Sequence, residues 1–409
     1  MNSAIPSSRD IDHDLSPATK QAILLLSLAT FSSMSVQRIC DPMLPELSKV
    51  FDAPMSAVSQ VVSMFAIGYG VMQLFYGPLG DRWGKYRVVI LATLGCGLGC
   101  IFSALSSGLD QLVFARITTA VFSAAIIPMS LAWVGDAVDY HKRQETLARV
   151  GLGTMLGITS GQFFGGLLTD TLGWRWAFVM MAGVFWTVSF LLWRHWRKLD
   201  ASHHHNHVSA GFFKQLFLAG KDAWVRTILS IAVLEGACVF GLLAITATHL
   251  HNKFGISLTM AGSTAALFGL GGMLYMATAK YTIRKFGETG LSRIGASGLS
   301  ISFLIIAFTP WWPLALPACF GGGFGFAMFH NTMQAHATQM VPTARGTGVT
   351  LFAGFLFLGQ SLGVFMLANL LTHFSSSFVI GCASVVALGL GLFLAYAIEK
   401  RHAHHAHSQ

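Results

Sequence analysis

The sequence predicts an all-α integral membrane protein, with twelve transmembrane helices in two halves of six. Three observations carry this. Of 409 residues, 54% are hydrophobic and only 11% charged, a balance far from that of an ordinary soluble domain. Apolar runs of about 20 residues, the length that crosses a bilayer as a helix, recur twelve times. A polar stretch at 196–222 separates the first six from the last six.

The spans fall at 21–47, 57–79, 87–107, 110–135, 147–170, 174–195, 223–250, 257–280, 291–309, 312–340, 346–371 and 376–398. The expected organisation is an amino-terminal bundle over 1–195, a His-containing central loop over 196–222, a carboxy-terminal bundle over 223–398 and a His-rich tail over 399–409. The first twenty residues are polar, with Asp10, Asp12, Asp14 and Lys20, so no cleavable signal peptide is expected.

In the first span Arg38 and Asp41 lie three residues apart and share a helix face. Charges at that depth are costly unless paired or turned to a cavity. Pro42 has no amide to donate and frees the carbonyl of Arg38, which predicts a kink. The pair reads either as proton-handling machinery or as a self-neutralised structural site. After the second span comes Gly77-Pro-Leu-Gly80-Asp81-Arg82-Trp83-Gly84-Lys85-Tyr86-Arg87, whose glycines and proline predict a tight turn. The fourth span carries Arg116. The fifth holds Gly157-x-x-x-Gly161-Gln162-x-x-Gly165-Gly166, a spacing of small residues that lets helix backbones approach closely.

Glu235, near the middle of the seventh span, has no basic neighbour in register on its own helix. It reads as an unpaired carboxyl suited to exchanging protons, or as one hydrogen-bonded in helix packing. The tenth span holds His330, Asn331, Gln334 and His336, placed to touch cargo or to pack. The eleventh holds Gly359-Gln360-Ser-Leu-Gly363, an echo of Gly161-Gln162-Phe-Phe-Gly165 in the fifth. Arg284-Lys285-Phe286-Gly287 similarly echoes Asp81-Arg82-Trp83-Gly84 with the acid replaced. Together they suggest a duplicated unit. Tyr69, Trp133, Phe240 and Phe355, with His330, Asn331, Gln334 and Gln360, are the candidates to line a substrate cavity. The six cysteines all fall in spans, with no spacing that suggests a disulfide framework or a zinc site.

Placing the amino terminus inside puts 21 of the 26 Lys and Arg residues in cytoplasmic segments, which fits the positive-inside rule with both termini cytoplasmic. The net charge of +9 is then a topology signal, and no nucleic-acid partner is expected. No phosphate-binding Gly-x-x-x-x-Gly-Lys-Ser/Thr loop is present, which argues against ATP-driven pumping.

The run from Gly77 to Lys85 closely resembles the loop between helices 2 and 3 of the major facilitator superfamily, the large family of secondary transporters. That resemblance implies two pseudo-equivalent six-helix bundles with a site at mid-membrane between them. It assigns Gly77, Asp81, Arg82, Gly84 and Lys85 to a conformational latch. In that latch Asp81 would meet the start of the eleventh helix near Thr343–Gly348, and Arg82 and Lys85 would pair with acids such as Asp136 or Asp139. Asp41-Pro-Met-Leu-Pro45 resembles the acid-x-x-Leu-Pro ending of helix 1 in proton-coupled drug exporters of the superfamily. Arg116 matches the arginine of the family's Arg-x-x-Gln-Gly motif, although Thr119-Ala120 replaces Gln-Gly, and the match implies that it tunes a membrane carboxyl. The fifth-span pattern is similar to the antiporter signature Gly-x-x-x-Gly-Pro-x-x-Gly-Gly, with Gln162 in the place of proline.

The expectation is therefore a monomeric, proton-coupled antiporter of the inner (plasma) membrane that effluxes a small organic compound by alternating access. Its partners are substrate, protons and the lipid bilayer; no cofactor and no enzymatic activity are expected. Asp41 and Glu235 are the proton carriers, and Arg38 and Arg116 their tuning partners. A rival reading rests on His203, His204, His205 and His207 in the central loop and on His404 and His405 in the tail. Such tracts hold zinc, nickel or cobalt through imidazole nitrogen, which would make the chain an exporter of a metal or metallophore. A proton-independent facilitator and a non-transporting receptor are further alternatives.

Overall fold

A computed structural model describes residues 15–138, 140–197, 220–341 and 345–407. The helices are α1 (Pro17–Val50), α2 (Met55–Trp83), α3 (Lys85–Ala104), α4 (Leu109–Ala137), α5 (Tyr140–Thr171), α6 (Trp174–Trp196) and α7 (Ala223–Phe254). A single long element, Leu258–Phe308, is broken at Gly287, whose φ of 63° and ψ of −179° are not helical. It comprises α8 (258–286) and α9 (288–308). The chain ends with α10 (Trp312–Gln339), α11 (Arg345–Leu370) and α12 (Ser376–His407). Ten helices among the described residues are long and apolar enough to cross a membrane. With Leu258–Phe308 counted as two and Tyr140–Thr171 included, the arrangement is consistent with twelve passes.

Local sequence explains the ends. Ser16 caps α1 by accepting from Thr19 N, Asp222 caps α7 by accepting from Trp224 N and Val225 N, and Ser257 caps α8 by accepting from Met260 N. In α1 the helix stops at Arg38, and a short 3-10 turn, Asp41–Met43, carries Pro42 before Leu44–Val50 resumes. In α7 a π turn, Gly236–Phe240, directly follows Glu235.

Two differences from the sequence reading stand out. The segment from Gly77 to Trp83 is the last part of α2, with Pro78 inside the helix, and the turn is confined to Gly84 at φ 86°. One residue in a conformation that only glycine adopts cheaply reverses the chain, so a longer loop is not required. The terminal helix, in turn, continues unbroken to His407, through most of the segment set apart as a tail.

Two apolar cores follow the two halves of the chain, one built mainly from α1–α6 and the other from α7–α12. An even number of passes brings the chain back to the side on which it starts; that side is the near side here, and the opposite one the far side. Within the amino-terminal bundle, Gly157, Gly161 and Gly165 of α5 lie against Phe31, Ser35 and Ile39 of α1. A methyl group at these positions would collide with the carbonyl oxygens of α1, so the spacing serves close backbone approach. Gly359 and Gly363 of α11 lie in the same way against Val233 and Ala237 of α7. The α1–α5 contact is thus repeated as α7–α11, as the echoed Gly-Gln-x-x-Gly segments suggest.

The bundles meet along α5 with α8 and along α2 with α11. Gly166 faces the Leu258 carbonyl, and Gly70 faces Gly354. At the far side Asp170, near the end of α5, accepts from Leu258 N at 3.3 Å, Thr259 N at 2.6 Å and Thr259 Oγ1 at 2.6 Å. An acid from one bundle therefore caps a helix of the other, where the free amides and the helix dipole favour negative charge.

Candidate functional site: a buried charge cluster between the bundles

The kink in α1 places Arg38 and Asp41 side by side, both fully buried, with Arg38 Nη1 donating to Asp41 Oδ2 at 3.5 Å. Gln162 of α5 donates from Nε2 to the same oxygen at 2.8 Å. From the other bundle, Gln360 of α11 accepts on Oε1 from Arg38 Nη2 at 3.5 Å and from Gln37 Nε2 at 3.1 Å. The guanidinium also lies over the ring of Phe240 of α7, 4.5 Å from its centroid, a favourable placement for a desolvated cation. Gln37, Gln162 and Gln360, like the ion pair, have no exposed surface.

Glu235 is not unpaired. His330 Nδ1 of α10 lies 2.9 Å from its Oε1. Helical register reveals partners on the same helix only, and this one comes from a helix 95 residues away. A row of rings connects the two carboxyl groups. Phe240 packs on Phe326 at 5.3 Å between centroids, and Phe326 on the His330 ring at 5.0 Å. Asp41 Oδ1, Glu235 Oε2, Arg38 Nε, Gln37 Oε1, Gln162 Oε1 and Gln360 Nε2 are buried and make no hydrogen bond. Orphaned polar atoms are rare in protein interiors, and buried ionisable groups in a membrane span are costly unless paired or facing a cavity.

The remaining candidates fall elsewhere. Arg116 donates to the carbonyls of Val61 at 3.1 Å and Val36 at 2.9 Å and stacks on Phe65 at 4.1 Å. It therefore ties α4 to α1 and α2, and its hydrogen bonds go to backbone carbonyls, not to a carboxyl. Tyr69 is buried against Phe357 across the α2–α11 contact, with centroids 4.3 Å apart. Trp133 is not with the cluster; it packs on Tyr86, which meets His195 at the near end of α6. Asn331 donates to Tyr275 Oη at 3.1 Å, Gln334 is exposed, and Phe355 is half-buried.

In the latch segment Lys85 pairs with Asp136 at the end of α4. Asp139, like 342–344 ahead of α11, lies outside the described residues. His203, His204, His205 and His207 lie outside them too, as do the side chains of His404 and His405. Among the described residues no three His, Cys, Asp or Glu side chains gather as a metal site. Sequence reasoning also passed over His249, which is buried and joins Ser376 Oγ at 2.7 Å and the Ile306 carbonyl at 3.1 Å. Its only signal was a polar ring in an apolar run.

A profile of the Major Facilitator Superfamily matches residues 26–364 and 237–408. The chain belongs to the Major Facilitator Superfamily. It is 24% identical over 395 residues to an uncharacterized MFS-type transporter, YwfA, of Bacillus subtilis (strain 168), with 92% of each chain covered. It is 24% identical over 366 residues to a chloramphenicol resistance protein of Pseudomonas aeruginosa, covering 86% of this chain and 84% of that one. Among solved structures, a bacterial homolog of the human lysosomal transporter Spinster, inward-facing and unoccupied, superposes with a TM-score of 0.73 at 17% identity, covering 94% of this chain and 96% of that one. A point mutant of the nucleoside transporter NupG superposes with a TM-score of 0.72 at 13% identity, covering 93% of this chain and 99% of that one. Members of the Major Facilitator Superfamily are membrane transporters of small molecules, and the chain is accordingly a multi-pass membrane transporter of a non-enzymatic family.

Proposed function

We propose that the chain is a proton-coupled exporter of a small organic compound, working by alternating access in the cell (inner) membrane with both termini cytoplasmic. One observation carries the reading. A fully buried Arg38–Asp41 pair sits where the two bundles meet and is held by a glutamine from each. A buried ion pair contributes little net stability over apolar packing, so its place between the two bundles favours a switching role over a structural one. Asp41 and Glu235 are the proton carriers, with Arg38 and Arg116 as their tuning partners. The relative named for chloramphenicol resistance supports an organic cargo and the outward direction. The cycle runs through proton uptake from outside, closure of the far side, cargo capture from the cytoplasm and proton release inward.

Proteoliposomes holding an imposed pH gradient test this. A panel of drugs, sugars, metabolites and chelated metals is added while internal pH is followed. One organic compound is expected to collapse the gradient, and Asp41→Asn or Glu235→Gln to abolish that collapse while leaving the protein inserted. Cargo flux that ignores the gradient, or normal coupling in both variants, would overturn the reading.

A further inference from the structure

We propose that Gln360 is the positioning residue through which the charge state of the Arg38–Asp41 pair is passed from the amino-terminal to the carboxy-terminal bundle. The inference rests on the proton-coupled reading above and adds the element that links protonation to movement.

The geometry is asymmetric in a telling way. Gln162 and Asp41 belong to one bundle, so the 2.8 Å bond between them is unaffected by rocking of the bundles. Gln360 belongs to the other. Its Oε1 is the acceptor shared by Gln37 and Arg38, at 3.1 and 3.5 Å. The guanidinium therefore divides its donors, with Nη1 directed to the acid in its own bundle and Nη2 to the amide of the opposite one. Gly359, Gly363 and Gly236 hold α11 tightly on α7 at this level. Movement of the Gln360 side chain is thus movement of the α7–α11 pair.

Charge sets the direction. While Asp41 is ionised, the charge of Arg38 is matched within the amino-terminal bundle. A proton on Asp41 removes that attraction and leaves Gln360 Oε1 as the strongest acceptor available to a cation in a water-poor setting, where charge-assisted bonds are strong. The cross-bundle bond tightens, and the far side is held shut. Loss of the proton draws Arg38 back to Asp41 and slackens the bond. The other charged or titratable groups around Asp41 do not reverse this. Arg116 of α4 reaches Asp41 through space but is committed to the Val36 and Val61 carbonyls. Cys40 is a buried thiol. On the carboxy-terminal bundle, Glu235 and His330 pair with each other beyond the Phe240 and Phe326 rings. From α5 and α8 the nearest acid is Asp170, engaged at the far-side end with Leu258 and Thr259.

Nitroxide labels at Lys49→Cys and Asn252→Cys, both exposed at the far side, in a chain also carrying Cys382→Ser, report far-side opening in liposomes between acid and alkaline pH. The probe is the proton itself. In the otherwise unaltered chain the labels are expected to be close at low pH and to separate at high pH. Asp41→Asn should fix the close state at every pH. Gln360→Met, which keeps length and removes the acceptor, should abolish the pH response and leave the labels apart. Gln360→Glu, which restores an acceptor, should restore the close state. Gln162→Met should shift the midpoint but keep the full amplitude. An intact response in Gln360→Met would overturn the inference while leaving the proton-coupled reading in place, provided Asp41→Asn still loses its response. A normal response in Asp41→Asn would overturn the inference and leave Glu235 to carry the proton-coupled reading, whereas absence of any pH response in the unaltered chain would overturn both. Should Gln360→Met fail to insert, Gln360→Glu decides alone, since a far side that stays apart at low pH in that variant contradicts the acceptor role.

Discussion

Gln162 and Gln360 grip one ion pair from opposite bundles, the first donating to Asp41 and the second accepting from Arg38. They stand at matching places in the echoed Gly-Gln-x-x-Gly segments of α5 and α11. The backbone packing around them is repeated, α5 on α1 and α11 on α7. Their chemistry is not, because α1 supplies both charges and α7 supplies Phe240 at the corresponding face. Duplication has kept the scaffold, while the Arg38–Asp41 pair belongs to the amino-terminal half alone.

The Glu235–His330 contact gives a first prediction. Truncating the imidazole in His330→Leu leaves a fully buried carboxyl without its partner, a cost of about 1–3 kcal/mol. Glu235→Gln, which can still bond the ring, should cost less. Thermal unfolding in detergent of the two single variants and the double variant measures the coupling. Purely additive effects would remove the pair as a stabilising contact.

Asp170 supplies a second. Its carboxylate caps α8 from across the bundle interface, and loss of such a cap costs about 0.5–2 kcal/mol, toward the low end where solvent reaches it. Asp170→Ala should therefore favour far-side opening about two- to ten-fold. The far-side label pair described above reads this directly as a larger separated population at every pH. An unchanged distribution would mean that the clasp does not bias the two states.

The glycine stripe of α5 allows a sharper test of packing. Gly161→Val places a branched side chain against the Ser35 carbonyl and the Arg38 side chain, and overpacking of this kind costs about 1–3 kcal/mol. Gly183→Ala in α6, where a methyl group meets nothing within 4 Å, should be neutral or mildly stabilising. Yield of folded protein and its melting temperature should separate the two. Equal behaviour would show that α1 and α5 do not need their close approach.

The histidine tracts yield a fourth. Deleting residues 402–409 is expected to leave both organic export and cellular nickel tolerance unchanged, since the charge cluster lies far from this end of α12. A selective loss of metal tolerance, measured by growth on graded nickel and zinc, would instead favour the metal-exporter reading.

What the sequence made legible depended on range. Arg38 and Asp41 lie three residues apart, so their shared face and the Pro42 kink could be read from α1 alone. The glycine stripe and its echo followed from spacing within single helices. Gln162 and Gln360 were visible as a repeat, but their destinations were not, because a helix face says nothing of what the facing helix presents. Glu235 with His330, and Arg116 with the Val36 and Val61 carbonyls, were hidden for the same reason. The extent of α2 was misread because Gly77 and Pro78 are turn formers in water, whereas packed helices accommodate them in a membrane span.

The π turn of α7 has a consequence for how this helix tolerates change in length. At ordinary pitch Glu235 and Phe240, five residues apart, would point about 140° from each other; the wider turn at Gly236–Phe240 brings them toward a common face. It amounts to a one-residue insertion absorbed without breaking the helix. Excising Ala237 would let α7 regain regular winding with Glu235 and Phe240 four residues, and therefore about 40°, apart, so the two would keep the face they now share. A single-codon deletion at this turn would therefore leave the two carboxyl sites linked, whereas the same deletion in the regular winding of α7 would swing the rest of the helix by about 100°.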